Sequence, residues 1–453
     1  MKIKFMLLGA IAVYSCVYAE ESTQAEESTQ KENLTFEESV LAAYNNNSGW
    51  QANQIDKKSA EEHLNQAKMM FLPNIGGKIS STRAETDAVA TGPNEYGRIV
   101  TQRQSQNITR TSLGINITQN LFNGFATVNQ IKARTNAAKA ADYKLKYEEQ
   151  KLIFNILDAY TSVWVGHQKV AAQRKKEENL KKTLEAKNTS LEAGAGTPSE
   201  VAQAKANYSK AVFDRIQAET ELFTAEATLE RQTSLSPRNK NIELPDINLK
   251  LSESLDKLIA TAVAANCQIL TRKFEERAQL NSLDATKGAL SPSCNLTLSA
   301  ERDLTKQRYN NSQNALSASL IVDIPIFSNS SQGNTYSAID LASQQALRAS
   351  FVAEDTVLEI KKQCVDFWNK YISAGAMIKA CRSSVKSAEL SAKSNQEEAS
   401  LGTKSNTEIL GEENKLLEAR IDLANSHKQK ILSAFMILSL SGELSLRTLL
   451  KRK

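Results

Sequence analysis

Gly194-Ala195-Gly196-Thr197-Pro198-Ser199-Glu200-Val201 has a second copy 208 positions further on, Gly402-Thr403-Lys404-Ser405-Asn406-Thr407-Glu408-Ile409. Each copy is a cluster of small, turn-forming residues that ends in a carboxylate and a β-branched residue, set between runs rich in Ala, Lys, Glu and Leu. Such a cluster between two helical runs predicts the tip of an αα-hairpin. Upstream of the first tip, residues 125–191 run for 67 positions without a proline, about 100 Å of helix. No ordinary globular domain needs a helix of that length. Downstream, Pro198 stands in the first turn, where proline is tolerated. Val201, Ala204, Tyr208, Ala211, Ala218, Leu222, Ala225 and Leu229 then alternate by three and four, broken only at Arg215. That alternation is a coiled-coil seam, predicted to end near Ser234.

The duplication extends beyond the tips. Thr35, with Glu38 three positions on, predicts a capping box that opens a helix from Phe36 to about Met70. Residues 255–266 match 36–47 at an offset of 219, and Pro292 matches Pro73 at the same offset. A second proline-free run spans residues 329–400, where Asp366-Phe367-Trp368 answers Asp158-Ala159-Tyr160. Tyr160 and Trp368 read as helix-packing residues. The predicted organisation is a first repeat over 35–235, a linker over 236–252 with Pro237 and Pro245, a second repeat over 253–441, and a short basic tail over 442–453.

Between the helices of each repeat the hydrophobic period changes to two. In residues 111–122, Leu113, Ile115 and Ile117 point one way while Ser112, Gly114, Asn116 and Thr118 point the other. Residues 74–83 read as a partner strand, and the polar stretch 84–108 as a long loop. In the second repeat Leu296, Leu298 and Ala300 share a face. After a short polar loop near 307–313, so do Leu316, Ala318, Leu320, Val322 and Ile324, opposite Ser317, Ser319 and Asp323.

Residues 1–19 read as a secretory signal, with Lys2 and Lys4, an apolar stretch over 5–13, and Val17-Tyr18-Ala19 before Glu20. Cys16 as a lipid-bearing cysteine is the rival reading, and Tyr14 fits it poorly. Residues 20–34 are polar and repetitive, which predicts a disordered segment. The full chain carries a net charge of +5, and setting aside the two lysines of residues 1–19 leaves +3. That excess is too small to indicate a nucleic-acid partner. Three histidines, no metal-ligand cluster, no nucleophile motif and no glycine-rich phosphate loop argue against an enzyme, a cofactor or a metal centre. Of the cysteines beyond the signal, Cys364 and Cys381 fall on one predicted helix, roughly 25 Å apart, so they cannot pair within a chain. Buried thiols are the simpler reading, although an exported chain permits disulfides.

An exported chain without an apolar helical span can cross a bilayer only with strands. Four strands of about ten residues suit that thickness when tilted, but four cannot close a barrel. Two copies would give eight strands with a filled interior; three would give twelve and leave a hole. A barrel continued by a helical tube is the economical solution.

The chain resembles the TolC family of outer-membrane efflux and secretion channels. The resemblance spans nearly all of the mature sequence and rests on Thr35-Phe36-Glu37-Glu38 with Asn46-Asn47, Phe71-Leu72-Pro73, Thr118-Gln119-Asn120-Leu121-Phe122-Asn123-Gly124, the two tips, and Ile324-Pro325-Ile326-Phe327. It implies a mainly α fold with a small β part. A homotrimer would form a 12-stranded barrel in outer-membrane lipid, continued by a long α-helical coiled-coil barrel in the periplasm. It also implies an exit duct for tripartite drug efflux or type I protein secretion, opened at its periplasmic tips by an adaptor protein and an inner-membrane pump. Glu408 falls where family members place a ring carboxylate, and Glu200 is its counterpart in the first repeat. Lys404 stands where an arginine of the closing network is common, and loses that residue's bidentate geometry. Gly411 stands where a second acidic residue is often found, so Glu412 is the alternative for a second ring. Any carboxylate near a helix N-terminus is favoured by the helix dipole, so Glu408 and Glu200 also have a purely local explanation. Gly194, Thr197, Gly402 and Thr403 follow from their place at the tips as adaptor-facing residues. Asp323 would line the barrel lumen, tuning ion passage or serving as a solvated wall residue. The rivals are an envelope coiled-coil structural protein, which predicts no amphipathic strands, and a periplasmic adaptor, which needs a lipoyl-like β region.

Overall fold

A computed structural model describes residues 33–238, 240–245, 251–306, 310–326, 329–330, 333–400 and 405–450. The expected signal segment lies outside them. The first repeat contains α1 (Phe36–Asn46), α2 (Ser48–Met69), β1 (Asn74–Pro93), β2 (Ile99–Asn123), α3 (Ala126–Glu192) and α4 (Pro198–Thr233). The second contains α5 (Leu255–Ala265), α6 (Cys267–Lys287), β3 (Ser293–Lys306), β4 (Asn310–Asp323), α7 (Thr335–Ser400) and α8 (Asn406–Leu440). A two-residue ladder of β5 (Asn329–Ser330) and β6 (Gly333–Asn334) precedes α7, and α9 (Leu446–Leu450) ends the described chain.

Four expectations need correction. The helix expected from Phe36 to Met70 is two helices, because Asn47 leaves the helical region at φ −72°, ψ 112° and caps the start of α2 with its side chain. Residues 84–108 are not a loop: both arms are strand, joined by a five-residue turn at 94–98. Residues 310–313, expected as loop, belong to β4. The second long helix starts at Thr335 instead of near 329. In addition, Asn33 pairs with Asn241 in a parallel bridge and Leu34 is buried, at the end of a segment expected to be disordered.

Asn47 and its repeat counterpart Asn266 explain how short helices accompany long ones. Asn266 Oδ1 accepts from the N–H groups of Gln268 (2.9 Å) and Ile269 (3.2 Å), while its Nδ2 donates to the Leu440 carbonyl (3.1 Å) at the end of α8. Asn47 does the same between α4 and α2, accepting from Trp50 N (2.9 Å) and donating to the Gln232 carbonyl (3.1 Å). One amide thus satisfies orphan donors of one helix and an orphan acceptor of another. In this way α4 leads into α2 and α8 into α6, giving two pseudo-continuous rods. Asn266→Ala is expected to cost about 0.5–2 kcal/mol for the cap and about 1–3 kcal/mol for the buried carbonyl left unpartnered. Thermal melting of the detergent-solubilised protein reads that loss.

The rods and long helices pack side by side. α3 lies between α2/α4 and α6/α8, and α7 packs on the other side of α6/α8. The four-stranded antiparallel sheet has the matching order β1-β2-β3-β4. The main core lies near the middle of the long helices, where Phe36, Trp50, Ile153, Ile156, Tyr160, Leu229 and Phe435 cluster. A second cluster gathers Leu258, Ile269, Ile360, Cys364 and Ile437. Tyr160 is 1% exposed, and its hydroxyl donates to the carbonyls of Leu34 (2.8 Å) and Glu243 (3.0 Å). Burial pushes this phenol up to about 12, so it stays a donor at physiological pH. Trp368 borders the second cluster. The four described cysteines are free.

Candidate functional site

The first tip is closed by backbone geometry. Gly194 sits at φ +76°. Its N–H reaches the Leu191 carbonyl (3.0 Å), and the Ala195 N–H reaches the Ser190 carbonyl (2.9 Å). These two bonds form a Schellman motif, which needs a residue tolerant of the left-handed region. Thr197 then caps α4 through its hydroxyl to Glu200 N (3.3 Å). The Glu200 carboxylate pairs back across the hairpin with Lys187 Nζ at 3.1 Å.

At the second tip, Gly402, Thr403 and Lys404 lie outside the described residues. Ser405 and Glu408 form a full capping box at the start of α8: Glu408 Oε2 accepts from Ser405 N (3.0 Å) and Ser405 Oγ (3.0 Å). Glu412, one turn further, accepts from Ser391 Oγ (3.0 Å) and pairs with Lys415 (2.8 Å). The helix-dipole reading of Glu408 therefore has a concrete form, and the carboxylate is held in place by its own cap.

Sequence reasoning missed what joins the two hairpins. Asn179 on α3 is 0% exposed, and its Nδ2 donates to Glu413 Oε2 (3.0 Å) and Asn414 Oδ1 (3.3 Å) on α8. Lys176 pairs with Glu418 (2.7 Å) one turn away. Within the first hairpin, Arg215, the residue that breaks the α4 seam, bonds Glu177 and Glu219. Arg420 joins Glu389 (3.0 Å) in the second. The available signal was heptad spacing, since Asn179 stands seven residues after buried Ala172. A polar residue at such a position sets register at a cost in stability.

At the other end, cross-strand pairing sorts the sheet into two faces. Ile75, Ile79, Leu113, Ile115, Ile117, Leu298, Leu316 and Leu320 share one face. Lys78, Arg110, Glu301, Asp303, Ser317, Ser319 and Asp323 occupy the other. Arg110 and Asp303 pair across β2 and β3 at 3.8 Å. Among the described residues no helix is long and apolar enough to span a membrane, and no His, Cys, Asp or Glu group is arranged to hold a metal ion.

This architecture has known counterparts. A family model described as outer membrane efflux protein matches residues 40–233 and 258–442, one segment per repeat. The outer membrane efflux protein BepC of Brucella suis is 26% identical over 414 residues, covering 90% of this chain and 85% of that protein. The outer membrane protein TolC of Escherichia coli K12 is 23% identical over 413 residues, covering 87% and 79%. The crystal structure of the Campylobacter jejuni CmeC outer membrane channel superposes with a TM-score of 0.74 at 17% identity, covering 98% of this chain and 97% of that one. With both repeats matched by the family model and the whole architecture shared with a solved channel, the chain belongs to the outer membrane efflux protein family.

Proposed function

We propose that copies of this chain stand side by side as a homotrimer around one continuous duct. Four strands from each copy would build a 12-stranded barrel in outer-membrane lipid, and the helices a periplasmic tube. The observation that supports this reading most is the coincidence of unfilled edges. Among the described residues β1 and β4 end the sheet without partners on their outer sides, and α2/α4 and α7 end the helical layer at the same two sides. Both helical edges expose apolar stripes at coiled-coil spacing: Phe351, Leu358, Val365 and Ile372 on α7, and Phe213, Ile216 and Phe223 on α4. A head-to-tail contact between unlike edges closes into a ring and leaves no strand edge open in lipid. Purified protein should run as a trimer in detergent and conduct in planar bilayers. A monomer soluble without detergent would overturn the proposal.

In this reading the chain is a passive exit duct for drug efflux or type I protein secretion. The hairpin tips form its periplasmic mouth and its contact with an adaptor and an inner-membrane pump. Gly194, Thr197, Gly402 and Thr403 would face the adaptor. Glu408, with Glu200 and Lys404, would set the charge at the mouth, and Asp323 would lie on the barrel lumen. Charge and capping at Glu408 can be separated. Glu408→Gln keeps a side chain able to complete the capping box, whereas Glu408→Ala removes both and costs about 0.5–2 kcal/mol of helix stability. If Glu408 lines the closed mouth, both variants raise leak conductance or weaken cation block. If its part is only the cap, Glu408→Gln behaves as wild type.

A further inference from the structure

One cross-strand row on the polar face of the sheet differs from those below it. Lys78 pairs with Gly114, Gly114 with Glu301, and Glu301 with Ala315, so the row crosses all four strands. Charges stand on β1 and β3, and the two smallest residues on β2 and β4. The next rows toward the helices, Gly76-Asn116-Ser299-Ser317 and Asn74-Thr118-Thr297-Ser319, are uncharged. Elsewhere on this face Arg110 and Asp303 pair with each other at 3.8 Å, and Asp323 stands at the helix end of β4. Lys78 and Glu301 are both exposed and, among the described residues, neither forms an ion pair or a side-chain hydrogen bond.

Opposite charges on directly facing residues of neighbouring strands would pair, and Gly114 holds these two one strand further apart. Nothing in the fold requires a glycine there. Its φ lies outside the left-handed region and the register runs through it without a bulge. A Cβ at that position would come no closer than 3.8 Å to the Ala300 carbonyl oxygen and 3.9 Å to Glu301 Cγ. A glycine inside a strand weakens it, and away from bulges it often marks a place where another group approaches the backbone. The gap has a definite span, since strands two apart lie roughly 10 Å from each other. An extended segment of three residues is also about 10 Å long.

We propose that Lys78, Gly114 and Glu301 form a binding site for zwitterionic solutes whose opposite charges stand about 10 Å apart, such as a short peptide with free termini. The solute's carboxylate meets Lys78, its ammonium meets Glu301, and its chain lies over Gly114. The inference rests on the homotrimer reading, which turns this face toward the lumen. In that ring β4 of one copy adjoins β1 of the next, so cation and anion alternate at every second strand all the way round. The resulting band carries no net charge. It holds a zwitterion in transit and leaves simple cations and anions on equal terms.

Triglycine at millimolar concentration should add concentration-dependent noise to the current of the wild-type channel in planar bilayers. Triglycine acetylated at its N-terminus and amidated at its C-terminus should be silent. Lys78→Gln and Glu301→Gln should each weaken the apparent affinity for triglycine about tenfold, the size expected for one charge-assisted contact. Gly114→Val fills the gap without changing charge and should do the same. Exchanging the charges, Lys78→Glu with Glu301→Lys, restores the alternation, so the peptide binds in reverse and the noise returns. That rescue separates loss of the site from damage to the barrel. A conducting trimer that is silent toward triglycine, responds equally to the blocked peptide, or is not rescued by the exchange overturns the site and leaves the duct intact. Absence of a trimer and of conductance overturns the duct reading itself.

Discussion

Gly124→Ala is expected to abolish assembly of the proposed homotrimer, whereas Gly194→Ala leaves it nearly intact. Both glycines occupy the left-handed region, at φ +62° and +76°. Both alanines therefore meet the same conformational cost of about 1–2 kcal/mol. Their surroundings differ. A Cβ at Gly194 meets nothing within 4 Å, because the tip stands clear of the molecule. A Cβ at Gly124 would lie 2.4 Å from Ser291 Cβ and 2.5 Å from the Gly288 carbonyl oxygen. The reciprocal contact is also too close, with a Cβ at Gly288 falling 2.8 Å from the Gly124 carbonyl oxygen. The Gly288 carbonyl is backbone and the Ser291 Cβ is fixed to its own backbone, so neither can swing aside, and overpacking adds about 1–3 kcal/mol. This is where β2 turns into α3 against the end of α6 before β3 begins. An error there misaligns the sheet with the helices, and in the proposed homotrimer it would do so in every copy. Gel migration of unheated and heated outer-membrane fractions reads the outcome. Equal loss in both variants would mean that the close approach of the two junctions is unimportant.

The second large effect is expected from Asn179→Asp, and it rests on the proposed tips acting as a gate. The wild-type amide donates from its buried position to Glu413 and Asn414. A carboxylate of the same shape has nothing to donate when ionised and would face Glu413 at hydrogen-bond distance. Two like charges about 4 Å apart repel by about 4 kcal/mol at an effective dielectric of 20. One escape is a shared proton, which raises a pKa of the pair in the closed arrangement. The sign follows: closure is retained below the raised pKa and lost as pH rises through it. The variant should leak strongly in planar bilayers at pH 8 and close toward pH 5, while the wild type changes little. A shift of a few kcal/mol is enough to exchange the populations of two states. Adding Glu413→Gln removes one charge, and leak at pH 8 should fall back. Wild-type conductance at both pH values, or a double variant as leaky as the single one, would remove Asn179 from the gate.

Legibility differed by element. The long helices were readable because each is a proline-free run of 66 or 67 residues ended by turn residues, and local propensity agrees with packing throughout. The split at Asn47 was missed although Asn266 repeats it. Either asparagine is tolerable in a helix, and only the carbonyl it meets on another helix, Gln232 or Leu440, makes it a cap on both. The arms at 84–108 read as loop because a strand without an apolar face has no period-two signal; the pairing partner makes them strands. At the tips, sequence placed Gly194 and Thr197 well enough to explain their geometry. The same reading left Glu200 as a counterpart of Glu408, and the structure separates them by partner: Lys187 on the facing helix for one, its own cap for the other.

What the amino-acid sequence determined by itself is the set of parts and their duplication: two hairpins, two strand pairs, and the apolar and polar faces of each. Those features are periodic and local, so neighbours in the chain define them. The tertiary structure alone decided three things. It set the order α2/α4, α3, α6/α8, α7 with strands in the same order, it set the polar contact of Asn179 with α8, and it set the unequal reach of the two strand hairpins. Each joins residues far apart in the chain, where composition and spacing say only that a group is polar. Whether that polarity meets water, a carbonyl or a carboxylate depends on what folding brings opposite to it.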